Sequence, residues 1–176
     1  MIDSNTFRLD GRLALITGSS TGIGFALARG LAQAGAEVII NARTAERVEH
    51  AVETLRKEGH KAHGQVFDVT NEASVVQAVA RIEDQIGPLH ILVNNAGMTR
   101  RAPLHEFSFA HWQQIMQTNL DSVFLVSRSV VQHMLPRRNG RIINICSVQS
   151  ELGRPGISPY MATKGGLKML TKGMAI

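Results

Sequence analysis

Residues 13–24 read LALITGSSTGIG, and the fold follows from how that stretch is read. Its first half is short and apolar and ends on a glycine, as a buried strand does. Its second half carries glycines at 18, 22 and 24 at the head of an amphipathic run, residues 23–34. Glycines there permit a tight turn and let a ligand approach the backbone. The helix that follows offers free amide groups and a positive dipole end to an anion. The spacing is GxxxGxG rather than GxGxxG, and no lysine follows as it does in a GxxxxGK[ST] phosphate loop. A glycine turn without a ligand has the same composition. Its position between the first strand and the first helix favours a dinucleotide, bound through Gly18, Ser20, Gly22, Ile23 and Gly24.

The same alternation continues outward from this stretch. AEVIINA (36–42), GQVFDV (64–69), HILVNNAG (90–97) and RIINICS (141–147) are further short apolar runs bounded by Gly, Pro or Asn. They read as strands apolar on both faces. Helical patterns fill 44–58, 71–86 and 111–135, and a last helix starts near Ser158. Repeated strand–helix alternation predicts right-handed βαβ units and an α/β, doubly wound parallel sheet. No linker or repeat divides the chain, so one domain is expected over 1–176.

The ends of these strands carry the remaining cofactor candidates. Strand two ends in IINAR, with no acid to bond a ribose 2′-hydroxyl and with Arg43 next. A guanidinium pairs well with a phosphate dianion, which favours NADP while leaving NAD open; a solvated arginine at a helix start looks the same. Asp68, followed by Val69, ends strand three, where an adenine amino group would find an acceptor; a plain turn acid is the alternative. In NNAG (94–97), Asn94 is placed to link neighbouring strand ends. Asn95, Ala96 and Gly97 border the cofactor.

The chemistry is carried by SPYMATKGG, residues 158–166, and by Ser147 at the end of strand five. Tyr160 and Lys164 are four apart on one helix face. A free phenol titrates near pH 10, and a neighbouring ammonium favours its ionised form, so the pair suits general acid–base work. Lys164 is also placed to bond the ribose hydroxyls. Ser147 would stabilise charge developing on a substrate oxygen. YxxxK alone is common on solvated helices; the ordered combination of glycine turn, NNAG, strand-end serine and YxxxK is specific.

In that combination the whole chain resembles the short-chain dehydrogenase/reductase family. The resemblance implies a Rossmann-like sheet of order 3-2-1-4-5, without the family's strands six and seven, since members run tens of residues longer. It implies an NAD(P)-dependent oxidoreductase acting on a CH–OH group, with Asn119, Ser147, Tyr160 and Lys164 catalytic. Asn119, which periodicity alone would place on a helix surface, would hold a water in a proton relay. NNAGMTRRAP with NICSVQSELGRPGISPY is similar to the branch that interconverts D-gluconate and 5-keto-D-gluconate. Arg100 and Arg101 would then hold a carboxylate, and Gln149, Glu151 and Arg154, with Ser147, would line a polyol pocket; loop solvation is the alternative for each. A 3-oxoacyl-carrier reductase, or a non-catalytic dinucleotide-binding module, are the competing readings. A homodimer or homotetramer is implied, with the helices near 111–135 and 158–176 at one interface.

Composition excludes other classes. The net charge is +5, yet the basic residues are scattered and aromatics are only 5%, against a nucleic-acid surface. No apolar run is long enough to span a bilayer, and MIDSNTFRLDGR shows no signal pattern. A single cysteine, Cys146, rules out an internal disulfide and reads as a buried core thiol. The cytoplasm is the expected location. Seven dispersed histidines, His60 and His63 among them in a polar turn, suggest no metal site. Glu83 and Asp84 read as a solvated helix face, as does the Glu53–Glu58 region. Ser147 has no paired His and Asp to form a hydrolase triad.

Overall fold

The computed structural model describes residues 7–176; the opening MIDSNT, part of the stretch without a signal pattern, lies outside them. The strands are β1 (Leu13–Ile16), β2 (Glu37–Ala42), β3 (Ala62–Val66), β4 (Leu89–Asn94) and β5 (Arg141–Asn144). They form one parallel sheet in the order β3-β2-β1-β4-β5. The helices are α1 (Gly22–Gln33), α2 (Ala45–Lys57), α3 (Glu72–Gln85), α4 (Phe109–Met116), α5 (Ser122–Arg137) and α6 (Ser158–Met174).

Each early helix presents the stripe its sequence dictates. Val48, Ala51, Val52 and Leu55 of α2, and Val75, Ala78, Val79 and Ile82 of α3, recur at i, i+3, i+4 and i+7 and are buried. In α1 the buried stripe is Gly24, Ala28 and Ala32, small enough for close packing on the sheet. Two cores result, one on each sheet face. The first joins Leu15, Ile39 and Leu92 to α3 and α5; the second joins Ile16, Ile40 and Val93 to α1 and α2. Among the described residues, no helix is long and apolar enough to cross a membrane.

Several boundaries differ from the sequence reading. β3 ends at Val66, not residue 69, because the Asp68 carboxylate takes the Thr70 N–H and hydroxyl at 2.9 and 2.8 Å and turns the chain out of the sheet. His63 lies in this strand, against Glu37 of β2, rather than in a turn. β5 ends at Asn144; the Cys146 N–H bonds back to the Asn144 carbonyl at 3.1 Å, and Ser147 caps a 3₁₀ turn, Val148–Ser150. β3 and β5 are edge strands rather than covered on both faces, and Ile143 is 46% exposed. Cys146 is half-buried rather than a core thiol.

The single helix expected over 111–135 runs from 109 to 137, through Pro136, and contains a π turn, Gln117–Asp121. A π turn changes which residues face inward, and Asn119 is therefore fully buried rather than on the surface. Glu83 is also not solvated. Its carboxylate accepts the Leu89 N–H at 3.0 Å and both Arg137 nitrogens at 2.6 and 2.9 Å. Glu58 pairs with Arg29 at 2.8 Å.

Candidate active site

The strand ends open onto a cleft of about 570 Å³. Gly18, Ser20, Ile23 and Gly24 line it on one side, Arg43, Asp68 and Val69 on a second, Asn95, Ala96 and Gly97 on a third. The cofactor residues expected before the catalytic segment thus converge, except that Gly22 is not part of the lining. The glycines are required where they stand. Gly18 has φ +61°, and a Cβ there would lie 2.9 Å from Ala96 Cα. A Cβ on Gly24 would lie 2.5 Å from the Gly18 carbonyl oxygen and from Asn95 Nδ2. Ile23 stands 70% exposed at this mouth, an apolar side chain left open beside the turn.

A polar lattice fixes the turn's shape. The Thr17 hydroxyl accepts the Asn95 and Ala96 N–H groups at 3.0 and 3.1 Å. Asn95 Nδ2 donates to the Thr17 and Gly18 carbonyls at 3.0 and 3.1 Å. Asn41 Oδ1 accepts the Gly18 N–H at 3.1 Å, while its Nδ2 donates to the Gln65 and Phe67 carbonyls. These bonds satisfy loop amides that burial would otherwise strand. Thr17 and Asn41 were not singled out in the sequence, since nothing in hydropathy marks a cross-strand clamp.

Arg43 is joined at the cleft by Thr44 and Arg47. Thr44 stands at the N-terminus of α2, and its hydroxyl does not cap that helix. Neither arginine has a carboxylate partner among the described residues. Arg47 is legible only afterwards, as the residue four beyond Arg43 at a helix start.

Beyond Gly97, the catalytic candidates are carried by three segments: the π turn with Asn119, the turn after β5 with Ser147, and α6 with Tyr160 and Lys164. Asn94 Nδ2 donates to Asn144 Oδ1 and to Ser127 Oγ, both at 2.9 Å, so it does link the ends of β4 and β5. Asn144 Nδ2 donates in turn to Thr171 Oγ1 at 2.9 Å, fastening α6 to the sheet edge. Asn119 grips the Met98 peptide with both amide ends: Oδ1 accepts its N–H at 2.7 Å and Nδ2 donates to its carbonyl at 2.8 Å. The same Nδ2 donates to Thr163 Oγ1 at 3.2 Å, and Thr163 donates to the Tyr160 carbonyl at 2.7 Å. Asn119 thereby ties the loop beside Gly97 to the helix of Tyr160 and Lys164.

Lys164 is only 5% exposed. Its Nζ donates to the Ile145 carbonyl at 2.6 Å and lies 5.8 Å from the Tyr160 ring centroid. Burial pushes its ammonium below the ordinary lysine value, and the nearby Cys146 partly counters this. Ser147 is half-buried. Its hydroxyl donates to Gln149 Oε1 at 2.7 Å and accepts the Gln149 N–H at 3.2 Å.

The substrate candidates are brought together less tightly. Arg100 and Arg101 are exposed on the loop after β4, and Arg154 on the loop before α6. An Ala102 N–H to Gly156 carbonyl bond of 3.0 Å joins those two loops. Glu151 is paired with Lys168 of α6. Among the described residues, no group of His, Cys, Asp or Glu is arranged to hold a metal ion.

A family model described as short chain dehydrogenase matches residues 12–176. A gluconate 5-dehydrogenase of Gluconobacter oxydans is 55% identical over 99% of this chain and 68% of its own length. A 5-keto-D-gluconate 5-reductase of Escherichia coli K12 is 51% identical over 98% of this chain and 68% of its own. More distantly, a 3-oxoacyl-[acyl-carrier-protein] reductase of Vibrio cholerae is 42% identical over 95% of the chain and 67% of its own. The crystal structure of a gluconate 5-dehydrogenase from Burkholderia cenocepacia J2315, in complex with NADP and tartrate, matches with a TM-score of 0.94. It is 55% identical, and the match covers 97% of this chain and 67% of that one. The five-stranded order, the glycine-turn cleft and these matches agree: the chain belongs to the short-chain dehydrogenase family of oxidoreductases.

Proposed function

We propose that this protein interconverts a secondary hydroxyl and a ketone on a polyhydroxylated sugar acid, D-gluconate and 5-keto-D-gluconate, using NADP(H). The observation that carries the redox chemistry is that buried Lys164, beside the Tyr160 ring, is bonded to the Ile145 carbonyl two residues before Ser147, while Asn119 ties their helix to the loop bordering the cleft. The 55% identity to a gluconate 5-dehydrogenase supports the substrate.

The residues fit the cofactor. Gly18 and Gly24 leave no room for side chains, and the α1 N-terminus faces the cleft, as a pyrophosphate requires. Arg43, Arg47 and Thr44 supply two cations and a free hydroxyl for a 2′-phosphate. Asp68 and Val69, which line the cleft, would hold the adenine end, and Asn95, Ala96 and Gly97 the nicotinamide half. When bound, NADPH supplies the hydride.

Tyr160 gives its phenolic proton to the oxygen that gains negative charge. Lys164 stabilises the phenolate left behind, and its remaining N–H groups are available to the ribose hydroxyls. Ser147 turns its O–H from Gln149 to the same substrate oxygen, while Gln149 then offers its freed carbonyl to a neighbouring hydroxyl. Asn119, its amide spent on Met98 and Thr163, acts by holding the loop beside Gly97 to the helix of Tyr160 and Lys164 rather than by the water relay expected of it. In the oxidative direction each step reverses. Arg100, Arg101 and Arg154, on two loops joined through Ala102 and Gly156, hold the carboxylate. Glu151 acts through Lys168, keeping its loop on α6. The exposed Phe124 and Met169 on α5 and α6 support self-association as a dimer or tetramer.

The deciding experiment is NADPH oxidation by the full chain with 5-keto-D-gluconate, an acetoacetyl thioester and simple polyols. The sugar acid is expected to give the highest kcat/KM. A preference for the thioester would move the assignment to an oxoacyl reductase.

A further inference from the structure

We propose that Thr163 is a positioning residue for the proton-transfer helix, acting through Asn119 to hold Tyr160 and Lys164 against the loop beside Gly97. This rests on the reading of Tyr160 and Lys164 as the acid–base pair. Thr163 is fully buried and lies directly before Lys164. At such a position an apolar side chain of equal volume would be the simpler solution. A buried hydroxyl is tolerated only when it is bonded.

Its bonds form a directed chain. Asn119 Nδ2 donates to Thr163 Oγ1 at 3.2 Å, and Thr163 donates to the Tyr160 carbonyl at 2.7 Å. Both capacities of the hydroxyl are therefore spent on functional elements. The other Asn119 hydrogen and its oxygen are spent on the Met98 peptide. Remove the Thr163 oxygen and one Asn119 hydrogen is left buried without an acceptor. The amide then has reason to rotate, and rotation would break its grip on Met98. Thr171 repeats the device two turns later: it donates to the Leu167 carbonyl at 2.7 Å and accepts from Asn144. The two threonines fix α6 at both ends, but only Thr163 adjoins the reacting residues.

The test compares Thr163→Val with Thr163→Ser in the full chain. Two readouts are used: steady-state kinetics, and hydrogen exchange of the Met98 amide, whose N–H is held by Asn119. Thr163→Val is expected to lower kcat about five- to tenfold, the loss of one buried hydrogen bond, with KM for NADPH unchanged. It should speed Met98 exchange by a similar factor. Thr163→Ser should restore both, because it keeps the oxygen. In an Asn119→Ala background, Thr163→Val should cost nothing further. A Val variant within twofold of the wild-type kcat would overturn the proposal. So would a Ser variant as slow as Val, or an additional loss without Asn119. Where Thr163→Val does not fold, Thr163→Ala replaces it under the same criteria. If the wild-type chain reduces no carbonyl compound, the functional reading fails on its own. The exchange comparison still decides the tether, and unchanged Met98 exchange in Thr163→Val overturns it.

Discussion

The Lys164 ammonium is held by the main-chain carbonyl of Ile145, 2.6 Å away, just beyond the end of β5. The bond fixes an ammonium 5.8 Å from the Tyr160 ring centroid to the strand that leads into Ser147. A cation kept at 5% exposure acts through a medium less polar than water, beside the side chain read as the general acid. Tyr160→Phe should therefore lower kcat by about 10²–10⁴-fold, the usual contribution of a general acid. Nucleotide affinity and Tm should stay near wild type, because the side chain is only half-buried. Residual turnover above about a tenth of wild type would remove Tyr160 from the acid–base role.

The same lysine sets an alkaline limit. Burial lowers its pKa, so as pH rises the ammonium is lost below the free-lysine value of 10.5. Turnover should decline on an alkaline limb that begins below pH 10.5. Lys164→Arg, which stays charged, should flatten that limb even if it slows the reaction. A wild-type profile level through pH 10.5 would show that the Lys164 charge is not required.

Arg43 and Arg47 predict the nucleotide preference. Each faces the cleft without a carboxylate partner among the described residues. A charge-assisted hydrogen bond contributes about 1.5–3 kcal/mol, or about ten- to a hundredfold in affinity. Arg43→Ala and Arg47→Ala should each reduce the ratio of kcat/KM for NADPH over NADH by at least the lower figure. An unchanged ratio in both variants would place the 2′-phosphate contact elsewhere.

The sheet was legible because LALI, EVIINA and ILVN are β-branched or aliphatic runs between helices of 3.6-residue period; its strand order came from the family resemblance. The convergence of Gly18, Arg43, Ala96 and Gly97 on one cleft was legible for the same reason, since parallel strands deliver their C-terminal ends to one side. What hydropathy did not carry were features made by side-chain hydrogen bonds. The Asp68 turn shortens β3, the Ser147 cap shortens β5, and the π turn carries a polar Asn119 inside. Glu83 and His63 looked solvated because a charge in a window of sequence says nothing about the partner that folding brings to it.

That partner makes Glu83 a stability determinant. Burial is the largest single influence on its carboxyl and acts to raise the pKa. The Arg137 hydrogen bonds, the Leu89 N–H and the positive charge of Arg137 outweigh it and hold the carboxyl below its ordinary value. The pair joins α3, the start of β4 and the end of α5. Glu83→Ala leaves the Leu89 N–H and Arg137 without their acceptor and should cost about 2 kcal/mol, or roughly 4–8 °C in Tm. Glu83→Gln keeps an acceptor for Leu89 and should lose less. Thermal melts of the two variants check this, and a Glu83→Ala melt within a degree of wild type would show that the pair is solvent-screened.

His90 gives the acid side of the stability profile. The β1–β4 register shifts between Leu13, paired with Leu89, and Ala14, paired with Ile91, so His90 is the extra residue of a bulge. Its ring replaces the missing ladder acceptor: Nδ1 takes the Leu13 N–H at 3.1 Å, which requires a nitrogen without a proton. Burial, then the charges of Arg12 and Arg137, lower its pKa against a smaller opposite pull from Glu83. Above the unfolded value of about 6.5 the ring is neutral in both states and folding is unaffected. As pH falls below 6.5, the unfolded chain takes up a proton that the folded chain resists, so stability drops until the folded ring also protonates. Tm should be level from about pH 8 to 7 and fall below pH 6.5. His90→Asn, which offers an oxygen acceptor that does not titrate, should remove part of that fall while leaving the acid loss due to Glu83 at lower pH. Parallel Tm–pH curves for wild type and His90→Asn between pH 5 and 7 would show instead that the ring takes up its proton alike in the folded and unfolded chains.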